Sequence, residues 1–295
     1  MKVVLATDGS TYAEGAAQFL TRFHFSPEDE IIILHVVTEI PYDDDYHSRI
    51  KHVIKKVAPR ILKSSVHALR LLKAKIIVLE EEGAPNEVIM RVAEDFNADL
   101  IVMGARGITG IKSFFIGSVT RSIAINSPRP VLVTKTPHRE ISDKMMKVLF
   151  ATDGSDFAHA TATFLASMPF PPDTEITVMS VALSAASNIP LQYFMEIDDH
   201  IEEGLAKARA IEFERAEKII DQARPFLNKR FAEIKSITKG GDASSEILHE
   251  AEIVNADLIA VGSRGLKGIM GMLGSVSRRV LSYAHCPVLV GKMMR

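Results

Sequence analysis

The chain has 295 residues, of which 47% are hydrophobic and 24% are charged, and its formal net charge is −2. This length suffices for two ordinary domains with separate cores, and the small net charge creates no field that would attract nucleic acid or anionic lipid. No apolar run reaches the ~18 residues needed to span a bilayer, the start resembles no signal peptide, and a single cysteine, Cys286, excludes an intrachain disulfide. We therefore expect a cytoplasmic protein with no membrane or nucleic-acid partner.

The first half of the chain alternates short β-branched runs with helical patterns. Its predicted strands read, in chain order, "VVLA", "IIILHVV", "KIIVLE", "LIVMG" and "PVLVTK". Such nearly continuous apolar runs are typical of parallel strands buried on both faces. Ser10 follows a tight turn and is a candidate N-cap for the first helix, while "NEVIMRVAEDF" repeats its apolar residues at helical spacing.

Two longer helical patterns each contain a proline. In the second half of the chain, a charged helical pattern runs from about Asp198 to Phe231, and we expect Pro225 near its end because proline cannot continue a helix. The matching segment of the first half carries Pro59 within the pattern, which predicts a helix that is kinked or split there.

The same series of motifs occurs twice, in the same order. The pairs are "VVLATDGS" at 3–10 with "VLFATDGS" at 148–155, "NADLIVMGARG" at 97–107 with "NADLIAVGSRG" at 255–265, and "RPVLVTK" at 129–135 with "CPVLVGK" at 286–292. This indicates a tandem duplication. We predict one domain at residues 1–137, a linker at 138–145 and a second domain at 146–295. Strands joined by helical crossovers predict an α/β fold with two tandem doubly wound five-stranded parallel sheets.

A glycine-rich stretch, "GARGITGIKSFFIGS" at 104–118, is the main candidate for chemistry. Gly104 and Gly107 would let the backbone turn with positive φ and approach a ligand. Gly117 and Ser118 would open a helix whose free N–H groups and dipole favour an anion. Arg106 and Lys112 add positive charge nearby.

The expected position of this stretch in the sheet also favours a ligand. In a sheet of strand order 3-2-1-4-5, ligands bind beyond the carboxyl ends of the strands where the order reverses, which would bring Asp8 and Gly104 to one crevice. Asp8 could accept a hydrogen bond from a ribose hydroxyl or an adenine amino group, or it could simply cap the following turn. The stretch is not a Walker A loop, since Ile111 separates glycine from lysine.

The spacing Gly-x-x-Gly, nine residues, Gly-Ser resembles the ATP-binding pattern of the universal stress protein family. The "ATDGS" opening, the "LHVV" strand and the closing "RPVLVTK" strand match the same family, once in each half. The resemblance implies a tandem-domain member with an adenine nucleotide alpha hydrolase-like fold. Its implied ligand is ATP or AMP, with Mg²⁺ as the cation that would accompany the phosphates.

The resemblance also implies a set of site residues. In the first half, Asp8 and Val36 would hold the adenosine end, Met103 and Gly104 would line the base and ribose, and Arg106, Gly107, Gly117, Ser118 and Val119 would lie along the phosphates. The corresponding residues of the second half are Asp153, Val181, Gly262, Arg264, Gly265, Gly274, Ser275 and Val276.

The second half departs from the pattern, because only eight residues separate Gly265 from Gly274. One missing residue predicts a helix start displaced by about one strand rise, ~3.3 Å, unless Gly268 and Gly271 absorb the deletion. We therefore expect nucleotide mainly in the first half.

Three functions stay open on the sequence alone. The first is a nucleotide-binding regulatory module in a stress response, acting through a protein partner that the sequence does not identify. The second is an enzyme with weak ATP hydrolysis or phosphotransfer activity, for which we find no convincing general base. The third is a nucleotide-free dimeric scaffold. The family resemblance also implies that the last strands of the two halves, Val131–Val133 and Val288–Val290, pair within one chain as a built-in dimer, and two chains could join as a homodimer.

Overall fold

The computed structural model describes residues 1–38, 45–108, 116–135, 145–182, 199–266 and 272–293. The first half contains β1 (Lys2–Ala6), α1 (Thr11–Leu20), β2 (Glu30–Val37), α2 (Asp45–Ala68), β3 (Lys75–Glu82), α3 (Pro85–Asp95), β4 (Leu100–Gly104), α4 (Ser118–Asn126) and β5 (Val131–Thr134). The second half contains β6 (Lys147–Ala151), α5 (Asp156–Ser167), β7 (Glu175–Ala182), α6 (Asp199–Leu227), β8 (Ile234–Gly240), α7 (Ala243–Ile253), β9 (Leu258–Gly262), α8 (Ser275–Tyr283) and β10 (Val288–Gly291).

The ten strands form one continuous sheet rather than two separate ones. Its order is β3-β2-β1-β4-β5-β10-β9-β6-β7-β8, so the predicted order 3-2-1-4-5 is confirmed in the first half and repeated in the second. Within each half all neighbouring strands are parallel. The halves join where β5 and β10 pair antiparallel, with Leu132 opposite Leu289. The predicted pairing of the last strands is therefore present within the chain.

The first helix of each half begins where the repeated motif predicts it. The Ser10 hydroxyl accepts a hydrogen bond from the Ala13 backbone N–H at 3.3 Å, and the Ser155 hydroxyl accepts one from the Ala158 N–H at the same distance. Each serine thereby satisfies a backbone donor that the first turn of a helix leaves unpaired. These caps fix where the chain turns away from the sheet, directly after the residues that border the candidate site.

The two prolines behave differently from each other. Pro225 lies in the last turn of α6, as predicted. Of the predicted kink or split at Pro59, the split is wrong, since α2 continues through it as one helix, and the kink stays a prediction. A proline inside a helix removes one backbone hydrogen bond and crowds the preceding turn, but its neighbours Ala58 and Leu62 are buried, and their packing against the sheet offsets that cost.

Helices cover both faces of the sheet. The core on one face contains residues of α1, α2, α5 and α6, and the core on the other contains residues of α3, α4, α7 and α8. The first core runs across both halves, where the rings of Phe23 and Phe170 lie 5.3 Å apart. The edge strand β3 is only half covered, with Val78 45% exposed, so the expectation that all strands are buried on both faces fails at this edge.

Polar contacts also cross between the halves. A salt bridge of 2.7 Å joins Arg22 to Asp257, with both side chains mostly buried. The Lys292 ammonium donates hydrogen bonds to the backbone oxygens of Ala124 (2.7 Å) and Ile125 (3.1 Å) at the C-terminal end of α4. These contacts tie the second half to α1 and α4 of the first.

The predicted domain boundaries at 137 and 146 stay a prediction, because most of the predicted linker lies outside the described residues. Among the helices that the structure describes, none combines the length and the apolar character that crossing a bilayer requires.

Candidate functional site

A cleft of about 860 Å³ opens in the first half at the carboxyl ends of the strands. It lies where the strand order reverses, between the ends of β1 and β4, with the N-terminus of α4 on one side and α2 on the other. All nine residues predicted for the first half line it: Asp8, Val36, Met103, Gly104, Arg106, Gly107, Gly117, Ser118 and Val119. The fold thus brings the whole predicted set into one crevice of ligand size.

The Asp8 carboxylate connects the first strand to the glycine-rich loop. One oxygen, Oδ1, accepts the Ser10 N–H at 2.9 Å, and the other, Oδ2, accepts the Ile108 N–H at 3.0 Å. The first contact is the turn-capping role considered as an alternative, and the second is a tether for the loop. Because a carboxylate offers about four lone-pair sites, both contacts leave acceptor capacity that a ribose hydroxyl or an adenine amino group could use.

The glycines serve close packing rather than positive φ. Neither Gly104 nor Gly107 is among the residues with positive φ, so that part of the prediction is wrong. A Cβ on Gly104 would lie 2.7 Å from the Tyr12 carbonyl carbon, and one on Gly107 would lie 2.6 Å from the Asp8 carboxylate. Such distances are shorter than real Cβ contacts, so these positions exclude a side chain because β4 approaches α1 and the loop approaches Asp8.

The N-terminus of α4 faces the cleft with no side-chain cap. Gly117 is the N-cap residue and makes no side-chain cap hydrogen bond. Its own N–H donates to the Ala105 carbonyl at 2.9 Å, and the Thr120 hydroxyl donates to the Gly104 carbonyl at 2.9 Å, which together fix the helix against the end of β4. The first-turn N–H groups and the helix dipole therefore point at the cleft, an arrangement that favours an anion.

The cationic side chains of the loop are only partly described. Arg106 lines the cleft, with its guanidinium 5.5 Å above the Tyr12 ring and donating to the Tyr12 hydroxyl at 3.2 Å. Its backbone carbonyl accepts the Ser10 hydroxyl at 3.3 Å. Lys112, the other predicted cation, lies outside the described residues.

The second half has a smaller cleft of about 410 Å³. All eight predicted residues line it: Asp153, Val181, Gly262, Arg264, Gly265, Gly274, Ser275 and Val276. Asp153 repeats the tether, accepting the Ser155 N–H at 3.1 Å and the Leu266 N–H at 3.2 Å. Because β5 and β10 are antiparallel, the strands of the two halves run in opposite directions. The two clefts therefore open at opposite ends of the strands.

The missing residue of the second loop does not displace the helix start, which corrects the expectation of a shift. The Gly274 N–H donates to the Ser263 carbonyl at 2.8 Å, and the Ser277 hydroxyl donates to the Gly262 carbonyl at 2.6 Å. These bonds match those of Gly117 and Thr120 in the first half. The deletion is therefore absorbed between the two anchored ends of the loop; Gly268 and Gly271 lie outside the described residues.

Several lining residues were not singled out from the sequence. In the first cleft they include His35, Thr120 and an apolar face of α2. The repeat contained a signal for two positions: "SVT" at 118–120 recurs as "SVS" at 275–277, and Tyr12 recurs as Phe157, whose ring lies 5.1 Å from the Arg264 guanidinium. The contribution of α2 had no such signal, because the lengths of the intervening loops do not show which helix face turns towards the cleft.

A lysine follows the last strand of each half. Burial lowers the pKa of Lys135 to about 8, and the charge of Arg106 acts in the same direction while Cys286 opposes it. Burial also lowers the pKa of Lys292 to about 8, with the charge of Arg264 adding to the effect. Each buried lysine is thus electrostatically coupled to the arginine of its own glycine loop.

A metal site made by the protein alone is not visible in the part of the chain that the structure describes, where no three histidine, cysteine, aspartate or glutamate side chains are grouped to hold a cation.

Comparison with known proteins places these features in a family. Universal stress protein MJ0577 of Methanocaldococcus jannaschii is 28% identical over 152 residues, covering 45% of this chain and 94% of that protein. Universal stress protein MJ0531 of the same organism is 32% identical over 143 residues, covering 47% and 84% respectively.

A solved structure matches nearly the whole chain. The crystal structure of a universal stress protein from Archaeoglobus fulgidus DSM 4304 covers 99% of this chain and 96% of its own, with a TM-score of 0.61 and 23% identity, which shows a shared fold. The universal stress protein family model matches twice, at residues 1–135 and 145–292. The chain therefore belongs to the universal stress protein family, as a member with two copies of the family domain in tandem.

Proposed function

We propose that this protein is an adenine-nucleotide-binding regulatory module of a stress response, with ATP or AMP held mainly in the first cleft. The observation that carries this proposal is the uncapped N-terminus of α4, directed into a cleft that the Asp8 carboxylate also lines. One end favours phosphate, the other accepts hydrogen bonds from a nucleoside. A scaffold without a ligand has no need to present the uncapped helix start at Gly117 and Ser118.

The proposed binding pose follows from the chemistry of the two ends. Phosphates would accept hydrogen bonds from the first-turn N–H groups of α4 at Ser118 and Val119, with Arg106 nearby. The adenosine end would lie over the ends of β1 and β2, beside Asp8 and the Val36 backbone. Mg²⁺ would be bound through the phosphates, since cations of this type are commonly held by phosphates and few protein ligands.

Ligand binding would act on the loop between Gly107 and Gly117. The Ile108 N–H that tethers this loop donates to the same carboxylate that would receive the nucleoside. A ligand that interacts differently with the tethered and released loop would shift the balance between them. We propose that a protein partner binds the tethered and the released loop with different affinities.

Gly117→Val tests the phosphate end. A Cβ at Gly117 would meet only ordinary contacts, at 3.5 Å or more, and the φ of −59° suits any residue, so the fold should persist. The larger side chain would occupy the space that phosphates enter, and we expect ATP affinity of the first cleft to fall roughly 100-fold, about 2.7 kcal/mol. Calorimetry measures this in a chain whose second cleft is disabled by Gly274→Val.

Gly117→Ala serves as the matched control. Its single methyl group fits the same space, so it should weaken binding less than valine does while leaving the Tm unchanged. Full ATP affinity in Gly117→Val would rule out the phosphate end as proposed. No ATP or AMP binding by the unmodified chain would instead support the nucleotide-free scaffold.

A further inference from the structure

The two clefts differ on one side, where α2 borders the first. Four apolar residues of α2 line that cleft, and we call them the α2 lobe: Val53, Ile54, Val57 and Ile61. Their spacing puts them on one face of the helix. Val53 is 58% exposed and Val57 41% exposed, so the lobe presents apolar surface to the interior of an open cleft.

The second half lacks an equivalent lobe. Ile61 packs against Gly9, and Ile219 of α6 packs against Gly154 in the same way, which aligns the two helices. On that alignment Val53 corresponds to another apolar residue, Ile211, whereas Ile54 and Val57 correspond to the charged residues Glu212 and Arg215. No residue of α6 whose side chain is described lines the second cleft, and that cleft has about half the volume of the first.

A buried histidine lies at the base of the lobe. His35, on β2, lines the first cleft and is only 6% exposed. Its Nδ1 lies 2.8 Å from the Thr7 carbonyl oxygen, which can only accept, so Nδ1 carries a proton. The other ring nitrogen, Nε2, makes no hydrogen bond to any residue that the structure describes. The second half has Ser180 at the corresponding position.

The position of the lobe selects one end of a nucleotide. In the sheet order β3-β2-β1-β4-β5, α4 and the proposed phosphate end lie on the β4 side, whereas α2 follows β2 on the nucleoside side. A group that reaches the lobe would therefore be attached to the nucleoside. Among the α2 side chains that the structure describes, those that line the cleft are aliphatic, and His35 Nε2 can accept a hydrogen bond from a base amino group.

On the basis of the proposed function, we propose that the first cleft recognises an adenine nucleotide whose base carries an apolar substituent, and that the α2 lobe binds that substituent. Burying the substituent against Val53, Ile54 and Val57 would remove apolar surface from water on both partners. The second cleft, where Glu212 and Arg215 stand at the positions of Ile54 and Val57 and no described side chain of α6 lines the cleft, would bind only the unsubstituted nucleotide.

The test compares ATP with N6-benzyl-ATP by calorimetry, using the full chain with Gly274→Val so that only the first cleft is observed. We expect the Kd of N6-benzyl-ATP to be about tenfold lower than that of ATP. Adding Val57→Arg, which introduces the residue found in the second half, should abolish this gain, so that the ratio of the two Kd values falls to about one.

The outcomes separate this inference from the proposed function. Tight ATP binding with N6-benzyl-ATP bound no more tightly would overturn the lobe while leaving nucleotide binding intact. A gain that persists in Val57→Arg would also overturn it, because the benzyl group would then bind elsewhere. Absence of binding by either compound would overturn both proposals, and binding of N6-benzyl-ATP alone would support the lobe.

Discussion

Asp8 illustrates how one residue serves structure and function together. Its two oxygens hold the turn before α1 and the start of the glycine-rich loop. The same geometry recurs at Asp153 with distances within about 0.2 Å. A loop tethered through the ligand-contacting residue is positioned before the ligand arrives, so less ordering is needed on binding.

Removing this carboxylate should release the loop. Asp8→Ala leaves the Ser10 and Ile108 N–H groups without their acceptor, and hydrogen bonds to charged groups contribute roughly 1.5–3 kcal/mol. Since Asp8 is only partly buried, we expect a loss of about 1–2 kcal/mol in the free energy of unfolding and faster hydrogen exchange at Ile108. Urea denaturation and exchange measured by mass spectrometry test this.

Asp95→Ala is the control for that substitution, because Asp95 is exposed and its ion pair with Arg91 lies on the surface. Unchanged exchange at Ile108 in Asp8→Ala would mean that the loop is held by other contacts.

The two halves also differ in which element, the last strand or the first helix, carries the smaller of two facing residues. Gly291 ends β10, and a Cβ there would lie 1.9 Å from the Thr161 hydroxyl. In the first half the corresponding positions are Thr134 and Ala16, with the hydroxyl-bearing residue on the strand instead of the helix. In each half a small residue on one element thus faces a larger residue on the other, as close packing requires.

At the scale of elements, equivalent helices begin differently. The carboxylate of Asp242 caps α7, accepting the Ser245 N–H at 2.9 Å. The equivalent helix α3 begins after Ala84, which offers no side-chain cap, although Pro85 supplies a favourable first residue. Duplicated helices have therefore kept their position while differing in how their free N–H groups are satisfied.

Exchanging the two caps should shift stability in opposite directions. Asp242→Ala should lower the free energy of unfolding by about 1 kcal/mol, and Ala84→Asp should raise it by a similar amount, the usual value of an N-cap. Chemical denaturation at pH 7 measures both. Equal stability of all three chains would show that these helix starts are satisfied by water.

The contribution of Asp242 should depend on pH with a defined sign. Hydrogen bonds from Ser244 and Ser245 lower its pKa in the folded state from 3.8 to about 2. A lowered folded-state pKa means that the stabilisation is fully present above pH 4 and is lost as the pH falls towards 2. The stability difference between the unmodified chain and Asp242→Ala should therefore shrink over that window.

At the scale of the whole molecule, one sheet joins the two halves, and its antiparallel junction places their clefts at opposite ends of the strands. The antiparallel contact of β5 with β10 is short, only three residue pairs, and is supplemented by the salt bridge from Arg22 to Asp257 and by the continuous core on the α1 and α5 face. Lys292 adds to the junction, since its ammonium donates a hydrogen bond to a backbone oxygen at the end of α4. The charge of Arg264, beside the second cleft, also contributes to lowering its pKa.

The buried Lys292 makes a pH-dependent contribution to this junction. Its folded-state pKa of about 8 lies below the 10.5 of the unfolded chain. Between these values the unfolded state binds more protons, so stability rises with pH. Lys292→Met should reduce that rise by about 1–3 kcal/mol, measured by denaturation between pH 8 and 10.5.

Lys63→Met provides the control, because it makes the same replacement at an exposed position and leaves the buried Lys292 in place. An identical slope in Lys292→Met and the unmodified chain would contradict the burial effect.

Much of this architecture was predictable because local sequence patterns encode it and each pattern occurs in both halves. Apolar runs predicted the strands, the "ATDGS" motif predicted the first helix cap, and the resemblance to universal stress proteins implied which residues meet at the first cleft. Local pattern is sufficient there because backbone hydrogen bonding and side-chain periodicity act over a few residues. The predicted pairing of the last strands came from the resemblance to universal stress proteins.

Only the tertiary structure decided the remaining features, because each depends on contacts between residues far apart in the chain. These are the contacts of Arg22 and Lys292 between the halves, the continuity of α2 through Pro59, the close-packing role of Gly104 and Gly107, and the unshifted start of α8 despite the shorter loop. The α2 lobe belongs with them. Sequence determined the composition of the α2 face, but packing against Gly9 determined that this face borders the cleft.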